Sequence, residues 1–69
     1  MKILLVFKAS GEVAGTFEAA TPLDALRMFY AANGWPPWAW VNGQPVSYNK
    51  NDPEHLTGDL QQNWATFCA

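Results

Sequence analysis

Residues 2 to 19, KILLVFKASGEVAGTFEA, decide the architecture of this chain, because they form two strand-like runs joined by a glycine-containing turn. The runs at 2 to 8 and 12 to 19 are rich in β-branched and aromatic side chains. A three-residue hairpin loop commonly places its third residue in the left-handed region, where glycine costs least. Ala9-Ser10-Gly11 fits that loop, so the pattern predicts a β-hairpin with Gly11 at the left-handed position.

The loop length also predicts the register of this hairpin. The expected opposite pairs are Lys8 with Glu12, Phe7 with Val13, and Ile3 with Phe17. One apolar face then carries Ile3, Leu5, Phe7, Val13 and Phe17. A two-residue loop at Ser10-Gly11 would instead bring Leu4 and Val6 to the face of Phe17. The opposed charges and the glycine position favour the first register.

A helix is predicted from Pro22 to about Ala32. Thr21-Pro22-Leu23-Asp24 combines an N-cap threonine, a proline at the first helical position and an acid three residues after the cap. Asn33-Gly34 supplies the stop signal. The apolar stripe that should lie on the hairpin consists of Leu23, Leu26 and Tyr30, flanked by Ala25 and Phe29.

A second hairpin is predicted around Asn42-Gly43, since both turn residues tolerate positive φ. Trp38 and Trp40 should share one face with Pro45 and Ser47. The other face should carry Ala39, Val41, Val46 and Tyr48. Pro45 cannot donate a ladder hydrogen bond, so its strand is expected at an edge.

The last segment has two interpretations. Asp52-Pro53-Glu54 is typical of a helix start, and Leu56, Leu60, Trp64 and Phe67 follow at helical spacing. Residues 64 to 68 are also compatible with a final strand, and Gly58 weakens the helix. The sequence therefore predicts one α+β domain over residues 1 to 69: a small antiparallel sheet from two hairpins packed on one helix, with a C-terminal helix or strand.

Composition narrows the function classes. The formal net charge is -2, with four basic and six acidic side chains. Proteins that grip phosphates concentrate lysine and arginine on one face, so direct nucleic-acid binding is not expected. The apolar run at 3 to 7 is too short for a signal peptide or a membrane span. The single cysteine cannot form an internal disulfide, so a reducing cytoplasmic setting is expected.

The chain offers little for catalysis. His55 and Cys68 are each the sole residue of their kind, so no zinc set is possible, and a cysteine beside the C-terminus lacks the shell that activates a thiolate. We therefore expect no enzyme activity, no metal and no cofactor. Asp52, Glu54 and Asp59 lack the alternation of a calcium loop. Asp52 is interpreted as a helix cap and Glu54 as a favourable charge at the helix N-terminus. The functional alternative is that the three form an acidic rim that docks on a basic partner surface.

The candidate binding surface is aromatic. Charged residues are only 14% of the chain and hydrophobic residues 49%, with four tryptophans, so some aromatic side chains should stay exposed. Tryptophan and tyrosine dominate interface hot spots. The predicted contact residues are the apolar anchors Trp35, Trp38, Trp40 and Tyr48, with Asp52, Glu54 and Asp59 around them.

The layout of KILLVFKASGEVAGTFEA followed by TPLDALRMFY in a very small acidic protein resembles the compact anti-defence proteins of phages and mobile elements, anti-CRISPR proteins among them. The resemblance is architectural, and no diagnostic motif carries it. It implies a stoichiometric inhibitor that occupies a surface of a larger bacterial immune complex. The alternative hypothesis is a homo-oligomer that covers its own apolar surface, along the Pro45 strand or through the face bearing Leu4 and Val6.

Overall fold

The structure is a computed structural model that describes residues 1 to 68, and these residues form five strands and two helices. In chain order the elements are β1 (Lys2–Phe7), β2 (Glu12–Glu18), α1 (Pro22–Asn33), β3 (Trp38–Val41), β4 (Gln44–Ser47), α2 (Pro53–Asn63) and β5 (Trp64–Cys68). The predicted α+β fold class is confirmed. Neither of the two helices in this part of the chain is long and apolar enough to cross a membrane.

The strands form two separate antiparallel sheets. The first has the order β2-β1-β5, and the second consists of β3 and β4 alone. The two predicted hairpins therefore do not join, because the final strand β5 occupies the free edge of β1. The sequence allowed a helix or a strand for the C-terminal segment, and the structure contains both in succession. Helix α2 ends at Asn63, and strand β5 begins at the next residue.

The first hairpin keeps the predicted register at its open end and loses it at the tip. Ile3 lies opposite Phe17 as expected, but Phe7 lies opposite Glu12 and Val6 opposite Val13. The predicted pairs of Phe7 with Val13 and of Lys8 with Glu12 are therefore wrong.

The register changes at a bulge beside Gly15. Leu5 pairs with Gly15 and Val6 with Val13, so Ala14 is the additional residue on β2. Gly15 has a φ of 146°, a conformation that other residues rarely adopt, and it permits the bulge. The bulge turns Val13 onto the face of Val6, where it is 58% exposed.

Helix α1 has the predicted signals. The Thr21 hydroxyl accepts a hydrogen bond from the Asp24 amide at 3.2 Å, and the Gly34 amide donates to the Tyr30 carbonyl at 2.8 Å. The helix packs on the inner face of the three-stranded sheet. The shared core consists of Ile3, Leu5, Ala25, Leu26, Tyr30, Leu56 and Trp64.

Helix α2 lies between the second hairpin and the three-stranded sheet, since it contacts both β3 and β5. Gly58 explains how close this packing is. A Cβ atom at Gly58 would lie 1.7 Å from the Trp40 carbonyl oxygen, so only glycine fits at this point. Gly58, which lowers the helix propensity of α2, is therefore the residue that allows β3 to pack closely against this helix.

Candidate functional site

The outer side of the second hairpin carries Trp38, the most exposed aromatic side chain among residues 1 to 68. Trp38 is 63% exposed and Trp40 is partly buried. The two residues flank an open cleft of about 320 Å³ whose third lining residue is Pro45. We call Trp38, Trp40 and Pro45 the tryptophan face. None of the three side chains is charged.

The register that builds this face matches the sequence prediction. Trp38 lies opposite Ser47 and Trp40 opposite Pro45, so these four residues share one side of the hairpin. Asn42 and Gly43 have φ values of 52° and 78°, as the predicted tight turn requires.

The opposite side of the hairpin is anchored. Ala39 is fully buried, and the Trp40 carbonyl lies against Gly58 of α2. At the open end of the hairpin the Tyr48 amide donates to the Pro37 carbonyl at 3.1 Å. The backbone that carries Trp38 is therefore fixed, and a partner that binds there would have little chain to order.

Trp35 and Tyr48 do not belong to the tryptophan face. The Trp35 ring centroid lies 5.1 Å from that of Tyr30 and 5.4 Å from that of Tyr48. Both residues are half-buried against the core. The structure thus divides the predicted anchors into two outward-facing tryptophans and two aromatic residues that support the core.

Asp59 is 3% exposed and lies in the interior, which is incompatible with the predicted place on an acidic rim. Its carboxylate accepts hydrogen bonds from the Tyr30 hydroxyl, from the Tyr48 hydroxyl at 3.3 Å and from the Asn63 side-chain Nδ2 at 2.7 Å. The Trp64 indole donates to the Tyr30 oxygen at 3.1 Å. Asp59 follows the buried Leu56 by three residues and so lies on the same helix face, which is a sequence signal that it points inward.

This buried hydrogen-bond network raises the pKa of both tyrosines. Burial raises the pKa of Tyr30 well above its ordinary value, and the hydrogen bond to the Asp59 carboxylate raises it further. Burial also raises the pKa of Tyr48, with the Asp59 charge as the second cause. Both hydroxyls therefore stay protonated and serve as donors, which suits a structural role.

The other two acidic residues are near the surface at the start of α2. The Asp52 carboxylate caps the helix by accepting from the Glu54 amide at 3.0 Å. Glu54 is exposed and shares a shallow cleft with Val41 and Asn42 at the tip of the second hairpin. Glu54 is thus the acidic residue that the fold brings beside β3.

His55 and Cys68 have different surroundings. The His55 Nδ1 atom accepts from the Asn49 amide at 2.9 Å, and its Nε2 atom lies 3.4 Å from the Asp52 carboxylate. Cys68 is exposed at the end of β5, with its sulfur 3.7 Å from that of Met1. Among residues 1 to 68 there is no group of three histidine, cysteine or acidic side chains placed to hold a metal ion.

Pro45 is the site residue that the sequence reasoning left out, although the predicted register already set it beside the tryptophans. Its ring forms the third wall of the cleft. Comparison with known proteins adds no name to the site, because no family model, no curated protein and no solved structure matches this chain.

Proposed function

We propose that this chain is a small, non-enzymatic protein-binding module whose contact surface is the tryptophan face. The observation that carries the proposal is the 63% exposure of Trp38 on a hairpin whose other side is anchored through the fully buried Ala39. Burying a large apolar side chain contributes about 1.5 to 3 kcal/mol, and most of the Trp38 side chain is still exposed after folding. A partner that buries Trp38 in an apolar pocket or against an apolar ridge would gain most of this free energy in binding.

Charge at the rim adds selectivity. Glu54 is exposed beside the tip of the second hairpin, and the chain carries a formal charge of -2. A partner with lysine or arginine around its apolar contact is favoured over an acidic one.

The resemblance to anti-defence proteins suggests what the bound partner is and what binding does to it. We assign the chain as a stoichiometric inhibitor in the bacterial cytoplasm that occupies a surface of a larger immune complex, as anti-CRISPR proteins do. Inhibition of this kind requires only occupancy, and it is compatible with a domain of 69 residues.

Affinity capture from bacterial lysate tests the binding proposal. The baits are the wild type, the double variant Trp38→Ala with Trp40→Ala, and a control, Met28→Ala, which truncates a 45% exposed side chain on α1. Mass spectrometry should find a large protein or complex that the wild type and Met28→Ala retain and the double variant loses. Equal retention by all three baits would place the contact elsewhere.

A phage challenge tests the inhibitor assignment separately. Bacteria whose immune complex targets a phage should form more plaques when they express the wild type, and the double variant should not restore plaques. If the wild type retains a partner but does not change the plaque number, the protein-binding proposal stands and the inhibitor assignment is wrong.

A further inference from the structure

An open cavity of about 440 Å³ lies between the tip of the first hairpin and helix α1. Its volume is within the range of about 300 to 1,000 Å³ that is typical of small-molecule sites. We call it the aromatic pocket, and its lining includes Phe7, Glu12, Phe29, Tyr30, Pro36 and Trp64. None of these residues belongs to the tryptophan face, so the proposed protein contact leaves the pocket unused.

Strand pairing places the acid of the pocket beside its aromatic rings. Phe7 on the central strand lies opposite Glu12 of β2 and opposite Trp64 of β5. Side chains at opposite positions share one side of a sheet. Alternation along β1 makes this the side of Ile3 and Leu5, which α1 covers, and α1 contributes Phe29 to the pocket.

The rings of the pocket are steeply inclined to one another. The Trp64 ring centroid lies 5.3 Å from that of Phe7 and 5.4 Å from that of Phe29, with interplanar angles of 74° and 67°. Rings inclined in this way form the walls of a corner. Aromatic cages hold quaternary ammonium groups with such walls, because the electron-rich face of each ring attracts a cation.

The charge of the pocket also favours a cation. Among the described residues that line it, Glu12 is acidic and none is basic. The lysine next to Phe7 in the sequence is engaged elsewhere, since the Lys8 Nζ atom donates to the Gln61 carbonyl at 2.8 Å. A cationic ligand therefore meets both aromatic rings and a carboxylate, whereas an anion would be repelled by Glu12.

The polar groups of the pocket indicate which kind of cation fits. The Tyr30 hydroxyl donates to Asp59, and its oxygen accepts from the Trp64 indole at 3.1 Å, so both polar groups already have partners within the protein. Among the named lining side chains, this leaves the Glu12 carboxylate as the acceptor available to a ligand. A primary ammonium has three donors and a guanidinium five, and leaving buried donors unpaired is costly. A quaternary ammonium has no N–H donor and avoids this cost.

We infer that the aromatic pocket binds a small molecule with a quaternary ammonium head group. The pocket is open and its acid is exposed, so the dissociation constant should be about 1 to 10 mM. This binding does not depend on the proposed protein contact, because the two sites share no lining residue.

Titration with choline chloride up to about 50 mM at constant ionic strength, followed by heteronuclear NMR, tests the inference. The Trp64 indole N–H signal and the backbone amide signal of Glu12 should shift and saturate. The matched probe is the neutral analogue of choline in which a carbon atom replaces the charged nitrogen. It has the same shape, and it should bind at least about 10-fold more weakly because it lacks the charge that the rings and the carboxylate attract.

Two substitutions separate the contributions of ring and acid. Phe7→Leu keeps an apolar side chain but removes a ring, so it should weaken choline binding about 3-fold or more. Glu12→Gln should weaken it by up to about 5-fold, as expected for an exposed charge. Glu18→Gln makes the same change at an exposed position of β2 outside the pocket and should bind like the wild type. Circular dichroism checks that each variant is folded.

Four outcomes overturn the inference. The first is a wild type without saturable shifts up to about 50 mM choline. The second is a neutral analogue that binds as tightly as choline, a comparison that needs no variant. The third is choline binding that is lost in the Trp38→Ala, Trp40→Ala double variant and kept in Phe7→Leu, which would move the site to the tryptophan face. The fourth is a trimethyllysine peptide that binds far more tightly than choline, which would make the occupant a peptide.

Discussion

The close approach of α2 to β3 predicts that Gly58→Ala destabilises the protein, although alanine is the better helix former. At an exposed helical position this substitution stabilises by about 1 kcal/mol. Here the new Cβ would lie 1.7 Å from the Trp40 carbonyl oxygen, whereas such contacts essentially never fall below 3.0 Å. The opposing atom belongs to the backbone, so no side-chain rotation relieves the clash.

The magnitude follows from the shift that the clash demands. Helix and hairpin must separate by at least about 1.3 Å, which loosens the packing around the fully buried Ala39. Overpacking of this kind costs about 1 to 3 kcal/mol or more, and it exceeds the gain in helix propensity. After the gain of about 1 kcal/mol is subtracted, we expect a net loss of about 1 to 2 kcal/mol, a large part of the roughly 3 to 10 kcal/mol expected for a domain of this length.

Urea unfolding followed by tryptophan fluorescence measures this loss. Thr57→Ala, on the neighbouring residue of the same helix, should change the free energy of unfolding by less than about 0.5 kcal/mol. Gly11→Ala adds a side chain in open space at a φ of 72°, so it should cost about 1 kcal/mol from backbone strain alone. A Gly58→Ala variant as stable as the wild type, or more stable, would refute the packing of α2 against β3.

Three further predictions concern the interior and the tryptophan face. Asp59→Ala leaves the Tyr30 and Tyr48 hydroxyls without their acceptor, so urea unfolding should show a loss of about 3 kcal/mol, and a loss below about 1 kcal/mol would contradict the network. The pKa of each tyrosine is raised from 10.0, so the unfolded chain loses these protons first as pH rises. Below about pH 10 the two tyrosines should not affect the free energy of unfolding, and above it this free energy should fall by up to about 1.4 kcal/mol per pH unit per tyrosine. Urea unfolding at several pH values measures this dependence, and Tyr48→Phe should make the fall with pH less steep. Trp38→Ala should change stability by less than about 0.5 kcal/mol, whereas Trp64→Ala should cost about 3 to 5 kcal/mol, and equal losses in thermal unfolding would show that Trp38 is a core residue.

Local signals predicted much of this fold. The cap at Thr21, the stop at Gly34 and the Asn42-Gly43 turn each depend on a few neighbouring residues, and each is found as expected. The tight turn also fixed the register of the second hairpin, so the shared face of Trp38 and Trp40 could be predicted.

Features that depend on tertiary contacts were not predictable in the same way. The bulge beside Gly15 requires a positive φ that glycine permits but does not demand, so sequence spacing alone gave the wrong pairs at the hairpin tip. The pairing of β5 with β1 joins opposite ends of the chain, and no local pattern specifies it. The spacing of Asp59 from Leu56 indicates the inward face, but its hydrogen-bond donor Tyr30 lies 29 residues away, so its acceptor role is not visible in the local sequence.

Hydroxyl-radical footprinting of the chain, free and bound to the protein it retains from bacterial lysate, tests the binding proposal most directly. Trp38 is exposed at 63% and should be oxidised readily in the free chain, then protected several-fold in the complex, while the exposed Met28 stays equally reactive in both. Unchanged oxidation of Trp38 in the complex would contradict the assignment of the tryptophan face as the contact surface.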